Sequence, residues 1–233
     1  YVGDKVDAIL MYSQRTGHEL KSRGDGPYFY TTKSQHPDPV TSRFHSYLAK
    51  LGYQLTPHHK IGVGINGQQG SRYVDERCYA SFGSAWREAD DQSKRINVNA
   101  YYLYTPDSKY LAFSKFDVDY QKTDLAAVNY KGLRHWRTNE KQLGEVFDRR
   151  MKTEFKRASA ELESMPFNWG GEHVLSFKTY ASERVFRNIN HDTNEYGLDE
   201  WYTIQRPVKT KMYGASLKDQ ITWRPHFESG WKP

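Results

Sequence analysis

Apolar and polar residues alternate with a period of two along most of this chain, and this alternation limits the possible folds more than any other feature. In the clearest segment every second residue is apolar: Ile96, Val98, Ala100, Tyr102 and Tyr104. Residues two apart share a face in a β-strand, so the pattern predicts a strand with one apolar face. It recurs in eight segments, at residues 6–15, 45–55, 60–66, 95–104, 110–121, 149–164, 175–182 and 213–223. The sequence therefore predicts an all-β fold.

Two of these segments depart from the simple pattern. In residues 149–164 three apolar residues share a face with three charged ones: Ala158, Ala160 and Leu162 with Lys152, Glu154 and Lys156. An amphipathic helix is therefore an alternative to a strand there. In the last segment, Asp219 interrupts the apolar face.

The connections between the predicted strands are alternately short and long. Short turns are predicted at residues 56–59, 105–108 and 167–171, and long polar loops at 16–42, 67–93, 123–147 and 186–208. Outer-membrane β-barrels have short periplasmic turns and long extracellular loops, whereas sandwiches and propellers show no such two-sided alternation. The pattern thus predicts an antiparallel transmembrane β-barrel with about eight strands in this chain.

The composition agrees with a barrel and argues against other classes. Hydrophobic residues make up only 37% of the chain, which is low for a water-soluble domain, yet aromatics reach 15%, which is high for a disordered chain. A barrel combines the two because alternate residues face lipid, the lumen is polar, and Tyr and Trp line both interfaces. No apolar stretch is long enough for a membrane-spanning helix.

Cysteine content and charge narrow the possible functions further. Cys78 is the single cysteine, so no disulfide can form within the chain and no cysteine cage can hold a metal. The net charge of +6 is spread along the sequence without a Lys/Arg block, so a nucleic-acid interface is not expected.

The length of the loops and both ends of the chain indicate a section of a larger barrel. The loops are too long for a simple eight-stranded barrel, and the chain ends Gly230-Trp231-Lys232-Pro233, whereas complete outer-membrane barrels usually end in a strand with a terminal aromatic residue. The first residues lack the features of a signal peptide. We expect residues 1–233 to form one partial β-barrel domain.

Four groups of residues carry recognisable motifs: Gly3–Ala8 with Arg15–Glu19, Tyr47–Leu55 with His58–Gly62, Asp75–Arg77 with Trp86–Asp91, and Tyr213–Asp219 with Ile221. They resemble strands and loop starts of TonB-dependent outer-membrane receptors, in the group that binds haem, haemoglobin, transferrin or lactoferrin. The third group is similar to the haem and haemoglobin receptors in particular.

This resemblance implies a 22-stranded barrel in the bacterial outer membrane, with a plug domain and further strands that this sequence does not contain. The implied function is uptake of haem, or of haem from haemoglobin, powered by the TonB system through the plug. No enzymatic activity and no intrinsic cofactor are implied, since haem would be the transported ligand. The implied partners are a haem-carrying host protein and the lipid of the outer membrane.

Three alternatives remain open from the sequence. The first is a receptor for transferrin, lactoferrin or siderophore iron. The second is a stand-alone porin, in which lumen charges such as Arg95, Lys115, Asp117 and Asp119 would select solutes. The third is an outer-membrane enzyme, for which no catalytic constellation occurs at convincing positions.

The candidate ligand-binding residues are histidines and aromatics in the predicted extracellular loops: His18, His36, His135, His191, Tyr28, Tyr30, Trp136 and Trp201. Imidazole is a common axial ligand of haem iron, and exposed aromatics are enriched where proteins bind one another. The alternative is that the histidines are solvated and that the aromatics anchor loops or line the membrane interface.

A cluster of charged residues in the second predicted loop could be mistaken for a catalytic site: Asp75, Glu76, Arg77, Arg87, Glu88, Asp90 and Asp91. The sequence offers no nucleophile, metal cage or phosphate loop beside them. We predict an ion-paired network that stiffens the loop.

Overall fold

The computed structural model describes residues 1–20, 37–77 and 84–223, and these residues form one antiparallel sheet without a helix. Its ten strands are β1 (Val6–His18), β2 (Val40–Thr56), β3 (His59–Asp75), β4 (Ala85–Tyr104), β5 (Leu111–Arg134), β6 (Lys141–Ser164), β7 (Phe167–Asn168), β8 (Glu172–Asn194), β9 (Asp199–Tyr202) and β10 (Val208–Thr222). The predicted all-β class and antiparallel pairing are confirmed.

Eight long strands follow one another across the sheet in the order β1-β2-β3-β4-β5-β6-β8-β10, while the short strands β7 and β9 both pair with β8. Residues 149–164 lie within β6, which pairs with β5 on one side and β8 on the other. The helical alternative for this segment is therefore wrong. β1 and β10 form the two edges, and the described residues do not close the sheet into a barrel.

All three predicted short turns lie at one end of the sheet, here called the turn end. The amide of Thr105 donates a hydrogen bond to the carbonyl of His58 over 2.9 Å, which places the first two turns side by side. The third turn, between β6 and β8, contains β7 and lies at the same end. The opposite end, here called the loop end, holds the strand termini His18, Val40, Asp75 and Ala85, the connection 135–140, and residues 195–207, which contain β9. The predicted two-ended arrangement is thus confirmed.

Three of the predicted long loops, 67–93, 123–147 and 186–208, are however mostly strand within the described residues. β5 and β6 each contain 24 residues and remain paired as far as Arg134 and Lys141, inside the region predicted as loop 123–147. At about 3.4 Å per residue, such strands are roughly 80 Å long. The prediction failed because both faces of the sheet are polar there, so alternation of apolar residues is lost although the backbone pairing continues.

The two faces of the sheet differ sharply over its middle part. One face, which we call the apolar face, carries Val98, and the other, the polar face, carries Asn97. The cross-strand register aligns Val98 with Ile65 and Tyr120, and Ala100 with Val63 and Val118. Together such rows form an apolar belt across all eight long strands, which includes Val6, Ala8, Leu10, Tyr12, Tyr47, Ala49, Leu51, Tyr53, Ile61, Val63, Ile65, Ile96, Val98, Ala100, Tyr102, Tyr104, Phe116, Val118, Tyr120, Ala158, Ala160, Leu162, Phe177, Ala181, Tyr213, Ala215 and Leu217.

The belt crosses the sheet obliquely. On β2 its loop-end border is Tyr47, and the row of paired residues through Tyr47 reaches β10 at Lys209. On β10 the border is Tyr213, four residues closer to the turn end. The strands are therefore tilted relative to the belt, as the strands of a barrel are tilted relative to the membrane.

No second layer packs on the sheet within the described residues. Their only buried hydrophobic side chains are Val74, Trp86 and Ala89. The accessible surface of the chain is 17485 Å², whereas a compact protein of 27.3 kDa exposes roughly 11,000 Å². Belt residues such as Leu10 and Val63 are exposed on the apolar face.

A bulge where β5 pairs with β6 gives a sharp test of this fold. A Cβ on Gly132 would lie 1.9 Å from the backbone oxygen of Gln142, whereas a Cβ on Gly144 would meet nothing closer than 3.4 Å. We expect Gly132→Ala to destabilise the chain by about 1–3 kcal/mol, because backbone must shift. Gly144→Ala is the matched control and should change the denaturant midpoint little. Equal midpoints for the two variants would contradict the register at the bulge.

Candidate functional site

The candidate site lies at the loop end, where two hairpins present histidine and tryptophan side chains. The first hairpin joins β5 to β6 through residues 135–140. The His135 amide donates to the Glu140 carbonyl over 2.8 Å, and Asn139 adopts a left-handed φ of 60° that allows this tight turn. At the base of the turn, the Trp86 indole donates to the Gln142 carbonyl over 3.0 Å. The turn is thus fixed to its neighbouring strand.

Trp136 projects from this first hairpin into solvent. It is 78% exposed, and the Arg137 guanidinium lies 4.3 Å from the centre of its ring. His135 is held differently, because its Nδ1 accepts a hydrogen bond from the Thr138 amide over 3.2 Å. His135 therefore serves the turn, while Trp136 offers an apolar surface with a positive charge beside it.

The second hairpin joins β8 to β9 through residues 195–198. The side-chain oxygen of Asn194 accepts hydrogen bonds from the amides of Tyr196 and Leu198, and Gly197 adopts a φ of 88°. A left-handed conformation of this kind favours glycine. The turn folds β9 back along β8, so that Trp201 pairs with His191.

His191 and Trp201 stack against each other on the apolar side of this hairpin. Their ring centres are 3.9 Å apart with an angle of 7° between the planes, and His191 Nε2 lies 2.6 Å from the Asp199 carboxylate. Trp201 is nevertheless 62% exposed. The His191 imidazole thus contacts the Asp199 carboxylate at its edge and the Trp201 indole on its face. The rest of the Trp201 side chain is exposed to solvent.

The polar face of the same hairpin carries an ion-paired clamp formed by Arg149, Asp192 and Tyr202. Arg149 forms a bidentate pair with Asp192, one contact being 3.1 Å, and the Tyr202 hydroxyl donates to Asp192 over 3.0 Å. The hydrogen bonds from Arg149, assisted by the one from Tyr202, lower the pKa of Asp192, and the hydrogen bond to Asp192 raises the pKa of Tyr202. The clamp ties β9 to β6 across β8.

The structure brings together only some of the predicted ligand residues. His191 meets Trp201, and His135 adjoins Trp136, with ring centres 6.4 Å apart. His18 ends β1, where its Nδ1 lies 2.7 Å from the Glu19 carbonyl oxygen. β1 is the first strand across the sheet and β8 is the seventh, so five strands separate His18 from the hairpin of β8 and β9. His36, Tyr28 and Tyr30 lie outside the described residues.

Ion pairs are formed by five of the seven residues of the predicted charged cluster, although most of the cluster lies on strands: Asp75, Glu76, Arg77, Arg87 and Glu88. Arg77 pairs with Asp75 at 2.9 Å, and Arg87 pairs with Glu76 at 2.8 Å. Glu88 is paired with Lys141 of the first hairpin, which also lies 5.3 Å from the centre of the Trp86 ring. Burial and a hydrogen bond to Glu88 raise the pKa of Tyr73 to about 12. The cluster therefore links β3 and β4 to the first hairpin.

Sequence reasoning did not identify the clamp. Arg149 and Asp192 are 43 residues apart, and only the register of β6 with β8 makes them neighbours. Tyr202 reaches them because of the β8–β9 turn. The signal available in the sequence was Asn194 followed by Gly197, a pattern that favours a turn.

The described ranges contain no group of three or more His, Cys, Asp or Glu side chains arranged to hold a metal ion. Nor is there, among the described residues, a helix with the length and apolar character needed to cross a membrane. Neither the models of known protein families nor the curated protein sequences give a match to this chain.

The clamp makes a testable prediction about pH. Because the folded pKa of Asp192 is lowered from 3.8, the clamp should stabilise β9 fully above pH 3.8 and lose this effect as the pH falls through the lowered value. Asp192→Asn should therefore increase amide hydrogen exchange of residues 199–202 at neutral pH. The difference from the parent chain should vanish in strong acid. Equal exchange in both chains at neutral pH would show that the clamp does not hold β9.

Proposed function

We propose that this chain forms eight wall strands of a bacterial outer-membrane β-barrel, and that the barrel belongs to a receptor that binds its ligand at the loop end. The observation that carries the proposal is the apolar belt, which runs without interruption from β1 to β10 and has no covering layer within the described residues. Water is a poor solvent for such a surface, and a bilayer is the environment that matches it.

The size of the belt supports lipid as its partner. Eight strands spaced about 4.8 Å apart make it roughly 34 Å wide, and about three apolar residues per strand, each occupying about 6.8 Å of the strand, make it roughly 20 Å tall. The resulting surface of roughly 700 Å² exceeds the apolar patches that monomeric soluble proteins usually expose. Tyrosines border it on both sides, with Tyr12 and Tyr47 towards the loop end and Tyr53 and Tyr102 towards the turn end. Tyrosine is favoured at membrane interfaces.

The strands also continue unequally beyond the belt. β5 runs 14 residues from Tyr120 to Arg134 towards the loop end, but only five residues from Phe116 to Leu111 towards the turn end. Outer-membrane barrels have short periplasmic turns and extend further on the outside. The loop end is accordingly proposed to be extracellular.

Two substitutions on adjacent residues test the membrane assignment. Val98 lies on the belt, and Asn97 lies on the polar face, where it accepts a hydrogen bond from Asn66 over 3.1 Å. Val98→Arg should cost roughly 2–4 kcal/mol at mid-bilayer. Asn97→Arg should cost about 1 kcal/mol for the lost hydrogen bond. We therefore expect Val98→Arg to lower the yield of the intact barrel folded into lipid vesicles much more than Asn97→Arg, as measured by protease protection.

The ligand proposed by resemblance is haem or a haem-carrying protein such as haemoglobin, with a transferrin, lactoferrin or siderophore receptor as the alternative. The feature that supports a protein ligand is the pair of exposed indoles, Trp136 and Trp201, on rigid hairpins at the loop end. Aromatic side chains held in fixed positions dominate many protein interfaces. A stand-alone porin would have no use for such anchors.

The indoles give a direct test of ligand binding. In the intact receptor, Trp136→Ala and Trp201→Ala should each weaken haemoglobin binding by about 2 kcal/mol, or roughly 30-fold, if they are binding hot spots. Tyr110→Ala is the matched control, because Tyr110 is 85% exposed at the turn end. Binding should be measured on cells with equal surface expression.

The outcomes separate the candidate functions. Loss of haemoglobin binding with unchanged binding after Tyr110→Ala supports the haem-protein receptor. Loss of transferrin, lactoferrin or ferric siderophore binding instead would support the corresponding alternative. Passive solute conductance that none of these variants changes would favour the porin and contradict a receptor role for the loop end.

A further inference from the structure

A groove of about 680 Å³ lies on the apolar face between β4 and β10. Its floor is formed by the short side chains of Ala158 and Ala181 on β6 and β8, and its walls include Val98, Val118 and Tyr213. The groove exists because alanines on two adjacent strands align in register, with Ala158 opposite Ala181, while larger side chains flank them. The groove is open on the apolar face, so the lipid proposed to surround the belt could enter it.

The loop-end side of this groove is basic. Lys156 and Lys211 line it and occupy the same row of paired residues, with Glu183 between them on β8. Glu183 is bound at 2.8 Å to Lys209, outside the groove. Lys156 and Lys211 also act on the charge of Glu183, so three lysines surround one carboxylate and the net charge at this side of the groove is positive. Their backbones are two strand spacings apart, or about 10 Å, so both ammonium groups can reach one anion placed between them.

Further positive charge surrounds this position. Four residues nearer the loop end than Lys156, Lys152 lies beside Arg187, which pairs at 3.2 Å with Glu154, the residue between these two lysines on the same face. An apolar groove that ends at two lysines fits a molecule with a hydrocarbon chain and an anionic head. Burial of the chain against alanine and valine and contact of ammonium groups with phosphate would act together.

We propose that this groove binds the lipid A part of lipopolysaccharide, with an acyl chain on the alanine floor and a phosphate between Lys156 and Lys211. The inference rests on the proposed function, because the basic side of the groove points to the loop end and therefore to the outer leaflet. The polar clamp and the exposed indoles are not involved, so lipid binding and ligand binding at the loop end are separate properties.

The test measures lipid that remains on the protein after purification in mild detergent and re-addition of lipid A or phosphatidylglycerol. The double variant Lys156→Gln/Lys211→Gln should retain at least tenfold less lipid A than the parent, since two charge-assisted contacts are removed. Ala158→Leu should also reduce retention, because it fills the floor without changing charge. The matched control is Lys218→Gln, which removes an exposed lysine of β10 from the opposite, polar face.

Each outcome decides between the proposals. Parent-like retention in the double variant, or loss in Lys218→Gln equal to that in the double variant, would overturn the lipid A site. Equal retention of phosphatidylglycerol by the parent would overturn the choice of lipid A. Failure of the proposed function gives a different result, because the intact protein that contains this chain would then not insert into vesicles and Val98→Arg would behave like Asn97→Arg in it.

Discussion

The pairing of backbone groups across eight consecutive antiparallel strands is the interaction on which the rest of this structure depends. The described residues contain almost no hydrophobic core, so the sheet is not held by burial between two layers. The register of the strands decides which side chains share a face, and a shift of one residue would exchange the two faces completely. Belt, groove and clamp all follow from that register.

Close contacts on the polar face help to fix the register. The Tyr101 ring covers Gly62, where a Cβ would come within 2.2 Å of it, and the Tyr180 ring covers Gly214 on β10 in the same way. An aromatic side chain over a glycine of the neighbouring strand fits only one alignment of the pair. Such contacts specify the strand register, which glycines without a covering ring would not do.

Beyond the belt, ion pairs take over from apolar contacts. Lys131 pairs with Glu145 on the polar face, and Arg187 pairs with Glu154 on the apolar face. Each exposed pair contributes little stability, typically below about 1 kcal/mol. Continuous pairing of the backbone to the loop end must therefore carry most of the order there, and this explains why the sequence did not reveal it. The belt was predictable because apolar and polar residues alternate along its strands. Strand segments that are polar on both faces have no such alternation, so the sequence gives no periodic signal for them.

The same distinction explains the mixed outcome at the candidate site. Sequence placed His135, His191, Trp136 and Trp201 at the loop end, but it could not show that a turn at Asn194 stacks His191 on Trp201. It also marked Asp219 as an interruption of the apolar face. The structure supplies the reason, because Asp219 lies 2.8 Å from His173 Nδ1 and the His173 ring stacks on Phe167. Contacts between distant parts of a chain depend on register, which composition and periodicity do not encode.

The side chains at the loop end are divided between the two faces of the sheet, and this division limits which ligands could contact them. His191 and Trp201 continue the apolar face, which in the proposed barrel is the outer wall, whereas Arg149 and Tyr202 continue the polar face, which is the lumen wall. A small solute entering the lumen would encounter the clamp and never touch the indole. A ligand large enough to rest on the rim would contact both sides of the hairpin at once. In the proposed receptor, this division of residues between the two faces suits a macromolecular ligand better than a small diffusing solute.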